Sequence, residues 1–187
     1  MRVMLKLVLD CDPDAAWRAI RSPAVLREVA APWLGFESLE DGGFPTVWAG
    51  GAHRVDALAL GAVPVGEEVI DLSFPGGLPD GVRMLKDGGG GRSGIMAGIT
   101  RWNHRMAVSA DPAGTGRTLY RDRLEFSAGA LTAAVWYPTW LFWQWRGLRM
   151  RQLAPTWAYD IGIDAELRGT ASGLSDRRAT DAASAPG

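Results

Sequence analysis

Residues 126–145, FSAGALTAAVWYPTWLFWQW, contain no charged side chain, and RGLRMR follows directly. As a helix, about 20 residues would span about 30 Å, the thickness of a bilayer core. The segment therefore needs an apolar partner, either lipid or the rest of the chain. Against a membrane span stand Pro138, Gln144, Ser127 and two threonines. The tryptophans suit an interface better than a hydrocarbon centre. The preferred reading is a buried or cavity-lining helix from Leu131 to about Leu153. Pro138 would sit in its first turns or bend it. A membrane-surface helix and a true span are the alternatives.

The rest of the chain offers a surface for such a helix. Val3, Leu5, Leu7 and Leu9 alternate with Arg2, Met4, Lys6, Val8 and Asp10, which predicts a strand with one apolar face. DPDAAWRAI follows, with Asp12 as N-cap, Pro13 at the first helical position and Asp14 complementing the helix dipole. Ser22 and Pro23 repeat the device in SPAVLREVA, predicting a second short helix. From Trp33 to Phe126 about six antiparallel strands are expected. WLGFESLE ends at the turn signal Asp41-Gly42-Gly43. A strand over about 46–60 and a turn from Ala62 to Gly66 come next. In EEVIDLSF, Ile70, Leu72 and Phe74 share one face. GVRMLKD, a glycine loop and RWNHRMAVSADPAGTGRTLYRDRLEF, a hairpin, complete the run. A curved antiparallel sheet must cover its apolar face, and only the last helix is long and apolar enough. A space between the two is expected, and such spaces are usual small-molecule sites.

Composition narrows the function classes. Of 187 residues 47% are apolar and nine are Trp, enough for one core. The domain is expected over 1–160. Residues 161–187, where bulky side chains give way to Ala, Ser, Gly, Arg and Asp, read as a disordered tail. A net charge of −1 offers no basic excess for a phosphate backbone, so nucleic acid is a poor partner. One cysteine, Cys11, leaves no internal disulfide framework and no Cys-based zinc site, which fits a cytoplasmic setting. The opening MRVMLKLVLDCDPD is too short and too soon acidic for a signal peptide.

As an ordered set, the DPDAAW helix opening after the first strand, W-N-H-R at 102–105, T-L-Y-R-D at 118–122 and the terminal helix resemble the SRPBCC superfamily of START, polyketide-cyclase and lipid-carrier proteins. The resemblance covers about residues 1–155. It implies an α+β helix-grip fold, a sheet wrapped around a long C-terminal helix, with a hydrophobic cavity for lipids, sterols, polyketides or similar molecules. Some members of that superfamily are enzymes and many only bind.

Within the hairpin, pairing Ser109 with Arg117 sets His104 opposite Asp122. Trp102, His104, Met106 and Val108 then share the inner face with Thr118, Tyr120, Asp122, Leu124 and Phe126. A buried carboxylate needs a partner, and His104 is the nearest. The pair reads as a structural knot, as a ligand-orienting pair, or as catalytic residues with Tyr120 as a further donor. Trp136, Trp140 and Trp143, at i, i+4 and i+7, read as core or as the apolar wall of the cavity. DGGGGRSG lacks the Lys-Ser/Thr ending of a phosphate loop and reads as a flexible strand connection at the cavity mouth. His53 and His104 find no third ligand, so neither metal nor cofactor is expected. Cys11, beside Asp10 and Asp12, is expected to be unreactive. RGLRMRQ is expected to complement the helix C-terminus, or to meet anionic lipid if the Trp face is exposed.

The leading expectation is a carrier or sensor of a small hydrophobic molecule. Trp102, His104, Tyr120 and Asp122 would form its polar end and Trp136, Trp140 and Trp143 its apolar wall. One alternative is a cyclase, dehydratase or hydrolase using His104, Asp122 and Tyr120. Another is a membrane-surface module using residues 126–151.

Overall fold

The computed structural model of the chain describes residues 1–159, so the tail expected at 161–187 lies outside the described residues. β1 (Arg2–Leu9) buries Val3, Leu7 and Leu9 on one face, as its alternation requires. α1 (Pro13–Ile20) starts where expected: the Asp12 carboxylate accepts from the backbone N–H of Asp14 and Ala15, both at 2.9 Å. α2 (Pro23–Ala30) is capped by Ser22 Oγ, which accepts from Val25 N–H at 3.4 Å. Seven strands follow: β2 (Leu34–Ser38), β3 (Gly51–Ala59), β4 (Val63–Ser73), β5 (Arg83–Asp87), β6 (Gly90–Gly91), β7 (Arg101–Ala110) and β8 (Thr118–Ser127). α3 (Thr132–Leu153) carries Pro138 within it, and a 3-10 turn, Ala154–Tyr159, ends the described chain.

The fold class is the expected one. All pairings are antiparallel, in the order β1-β8-β7-β5-β4-β3-β2, with β6 beside β4. α1 and α2 follow β1, and α3 lies against the sheet. Among the described residues no helix is long and apolar enough to cross a membrane.

Four local expectations need correction. The strand expected over 46–60 begins at Gly51, and the turn after it falls at Leu60-Gly61, both at positive φ, so Val63 already belongs to β4. The hairpin register is offset by two residues: Met106 faces Asp122, His104 faces Leu124, and Ser109 faces Leu119. Asp111 sets the position of the loop. Its carboxylate accepts from Thr115 Oγ1 at 2.6 Å and Ala113 N–H at 3.2 Å, and its own N–H bonds Arg117 O at 2.9 Å. An even offset leaves each side chain on its expected face.

The glycine segment is a packed element as well as a connection. Gly90–Gly91 pair with Val69 and Glu68. A Cβ on Gly89 would lie 1.7 Å from Val69 O, and one on Gly91 2.0 Å from Met96 O. The glycines are there because backbone meets backbone.

The fourth correction concerns α3. Its buried residues are Trp143, Arg146, Gly147 and Met150, at i, i+3, i+4 and i+7. No residue of α3 before Trp143 is buried. The helix meets β1 at Gly147, where an added Cβ would lie 3.2 Å from Leu5 Cδ1 and 3.6 Å from Leu7 Cδ1. Trp136 instead reaches the start of β1, donating Nε1–H to Arg2 O at 3.0 Å. Trp140 remains 36% exposed. Arg146 is therefore no solvated C-terminal charge; it occupies the buried face.

Candidate functional site

β7 and β8 turn His104, Tyr120 and Asp122 inward, and α3 lowers Trp143 onto them. The diagonal between His104 and Asp122 is close enough for a ring to bridge. Asp122 Oδ1 accepts from His104 Nε2 and from Trp143 Nε1, both at 2.9 Å. Its Oδ2 accepts from Tyr120 OH at 2.8 Å. Burial alone would raise the Asp122 carboxyl. The charge and hydrogen bond of His104, with help from Arg146 and Trp143, bring it down to about 2. Tyr120 goes the other way: burial and the Asp122 charge push its phenol well above the usual range. Tyr120 is a fixed donor to Asp122 and so does not offer its proton to a carbonyl, as the enzymatic expectation required.

Beside this knot lies a cavity of about 870 Å³ between the sheet and α3. Trp102, His104, Tyr120 and Trp143 line it, so the structure brings these four expected residues together. Asp122 is fully enclosed behind them and contacts the space through His104, Tyr120 and Trp143. Trp136 and Trp140 are not on the wall. The first half of α3 turns Val135, Pro138 and Thr139 to the space instead, and Phe142, Trp145 and Arg146 continue the wall. Trp145 Nε1–H is anchored on Ala31 O at 2.8 Å, which ties this wall to the end of α2. From the sheet come Phe36, Ile70, Leu72, Leu85 and Met106.

Comparison with solved structures places this architecture. A protein of Chromobacterium violaceum matches with a TM-score of 0.54 at 18% identity, over 82% of this chain and 96% of that one. A hypothetical protein of Helicobacter pylori gives 0.58 at 15%, over 82% and 88%. Norcoclaurine synthase from Thalictrum flavum, in complex with dopamine and hydroxybenzaldehyde, gives 0.52 at 13%, over 82% and 85%. The fold is the helix-grip fold. At these identities the likeness shows the fold alone. No protein-family model matches the sequence, and no curated protein matches it.

The helix-grip cavity of this chain is also lined by Glu68, Asp87 and Arg146, charged residues not expected there. Asp87 closes the switch of β4 from β5 to β6. Its Oδ1 accepts from Asp71 N–H at 2.9 Å and Gly89 N–H at 3.0 Å, and Oδ2 from Trp102 Nε1 at 2.8 Å. Glu68, on the inner face with Ile70 and Leu72, is 6% exposed. Burial, reinforced by the Asp87 charge and partly opposed by Arg146, pushes its carboxyl up to about 8. Arg146 is 7% exposed, with its guanidinium 4.9 Å from the centre of the Trp143 ring.

The remaining candidates carry little chemistry. Burial, more than the neighbouring acids, lifts the Cys11 thiol to about 11. His53 packs on Trp48 and faces Glu40, away from His104. Among the described residues no group of three or more His, Cys, Asp or Glu side chains is gathered to hold a metal ion.

Proposed function

We propose that this chain binds a small, largely apolar molecule between the sheet and α3, as a carrier or a sensor. The observation that carries the reading is the cavity of about 870 Å³ walled mainly by aliphatic and aromatic side chains. Small-molecule sites fall at about 300–1,000 Å³ and are apolar with a few placed polar groups. Burying the ligand's apolar surface contributes about 25 cal/mol per Å², less the cost of association. Trp102 and Trp143 stand on the wall and report occupancy by their fluorescence.

The test is uptake of an uncharged apolar dye, N-phenylnaphthylamine, together with native mass spectrometry of the freshly purified protein. Saturable dye binding that a cavity-filling Ile70→Trp change abolishes is the expected result. A protein that takes up no dye and carries no co-purified small molecule overturns the reading.

A catalytic variant of this reading rests on one observation. The His104 ring lines the cavity, and no described residue bonds its Nδ1. In the neutral ring, with Nε2–H held by Asp122, Nδ1 is left as an acceptor. His104 would then act as a base toward an acidic proton of the ligand, oriented by Asp122. Turnover of an identified ligand that survives His104→Gln unchanged removes this variant and leaves the binding reading intact.

A further inference from the structure

Arg146 has a feature that the fold does not account for. Its guanidinium is buried, and its Nε has no hydrogen-bond partner. Among the described residues none makes a hydrogen bond or an ion pair with any of its nitrogens. The Nε–H is buried without an acceptor, which native interiors avoid, and the terminal N–H groups find no acceptor among the described residues. The nearby acids are not turned toward it. Both oxygens of Asp122 are taken by His104, Trp143 and Tyr120. Both oxygens of Asp87 are taken by Asp71 N–H, Gly89 N–H and Trp102. Glu68 lines the same cavity without forming an ion pair to Arg146.

The guanidinium carbon lies 4.9 Å from the centre of the Trp143 ring, a cation–π contact. Arg146 is on the cavity wall, one residue before Gly147, where close contact with Leu5 and Leu7 fixes the height of the helix. The protein thus presents a positive fork that no described side chain bonds, in a mainly apolar space that it shares with Glu68, Asp87 and His104.

We propose that the ligand of this cavity is an amphipathic carboxylate, its two oxygens on the Arg146 fork and its apolar body along Phe142, Met106 and Ile70. This rests on the binding reading above and names the chemical class of the ligand. One negative charge suits the site better than two. The Asp122 carboxylate already acts electrostatically on Arg146, so a second negative charge on the ligand would meet its repulsion. A carboxylate matches the fork in shape as well as in charge.

The experiment compares two acids, dodecanoic acid and pyrenebutyric acid, each with its own methyl ester, by calorimetry and tryptophan fluorescence. Wild-type protein is expected to bind at least one acid roughly tenfold or more tighter than its ester, the effect of a charge-assisted hydrogen-bonded pair. Arg146→Met should abolish that preference while keeping the ester within about threefold, since the apolar contacts remain. Arg146→Lys, which keeps the charge and loses the fork, should keep part of the preference. Equal binding of acid and ester by the wild type overturns the proposal and leaves the apolar-cavity reading standing. So does a preference that survives in Arg146→Met. Binding of neither acid nor ester overturns both. The wild-type ratio decides the matter even if the methionine variant does not fold.

Discussion

Asp122 and Arg146 stand within electrostatic reach of each other, both more than nine-tenths buried. Asp122 is held by three donors from three side chains on β7, β8 and α3. Arg146 is held by none, with only the Trp143 ring beneath it. A saturated buried group can be explained by the fold it holds together. An unsaturated one points to something the chain does not itself supply. The largest expected effect tests the first half of that contrast. Asp122→Ala strands His104, Tyr120 and Trp143 at once and should destabilise the protein by about 3–5 kcal/mol in urea unfolding. Asp122→Asn retains one acceptor and should lose less. A loss below about 1 kcal/mol for the alanine would mean the knot is not structural.

Acid and alkali should separate the two regions. Asp122 has a folded pKa of about 2 against 3.8 for the free group. Its contribution is therefore present above about pH 4 and lost as pH falls toward 2, roughly 2 kcal/mol in all. Glu68 has the opposite sign, with a folded value of about 8 against 4.5. Between those values the folded state holds a proton that the unfolded state has released. Stability should therefore fall as pH rises from 4.5 to 8 and level off above that. Unfolding free energies measured across pH should show both limbs. Asp122→Asn should flatten the acid one and Glu68→Gln the alkaline one. An alkaline limb unchanged in Glu68→Gln would place the titrating group elsewhere.

The two regions also differed in how far the sequence revealed them. The inward face of the hairpin was legible, because a period of two puts His104 and Asp122 on one side whatever the register. The register was not, since the Asp111 carboxylate decides where the loop is placed through Thr115 and Ala113. Asp12 and Ser22 announced their helices because capping is local chemistry. Arg146 was hidden by residue type. A stripe chosen for its tryptophans runs through Trp136 and Trp140, whereas the same periodicity continued from Trp143 passes through Arg146, Gly147 and Met150. Glu68 sat in plain view two residues before Ile70, on the face already recognised as apolar. A charged residue on an apolar face was in both cases the available signal. The glycine segment was read as slack because the sequence does not show that Val69 and Met96 carbonyls press against it.

Arg146→Met sharpens the contrast with a smaller effect on stability. Replacing a buried, unbonded guanidinium by an apolar chain of similar length removes a desolvated charge. The variant should unfold within about 1 kcal/mol of wild type, or be more stable, in direct opposition to Asp122→Ala. A loss as large as that of Asp122→Ala would make Arg146 part of the fold.

Trp140 should show the smallest effect, and it locates the boundary between the two kinds of region. It is 36% exposed and stacks on Trp136 and Tyr137, with ring centres 6.4 and 6.1 Å away. It lies before the point at which α3 becomes buried, and it does not line the cavity. Trp140→Ala should cost no more than about 1 kcal/mol, the worth of its stacking. The affinity for N-phenylnaphthylamine should stay within about twofold, because no cavity contact is lost. Trp143→Phe, only three residues on, removes the Nε1 donor to Asp122 and alters the ring beneath Arg146, so it should weaken both stability and carboxylate preference. If Trp140→Ala instead emptied the cavity of dye, Trp140 would have to support the wall through its neighbours, since Val135, Pro138 and Thr139 of the same half of α3 line the space and Trp140 does not.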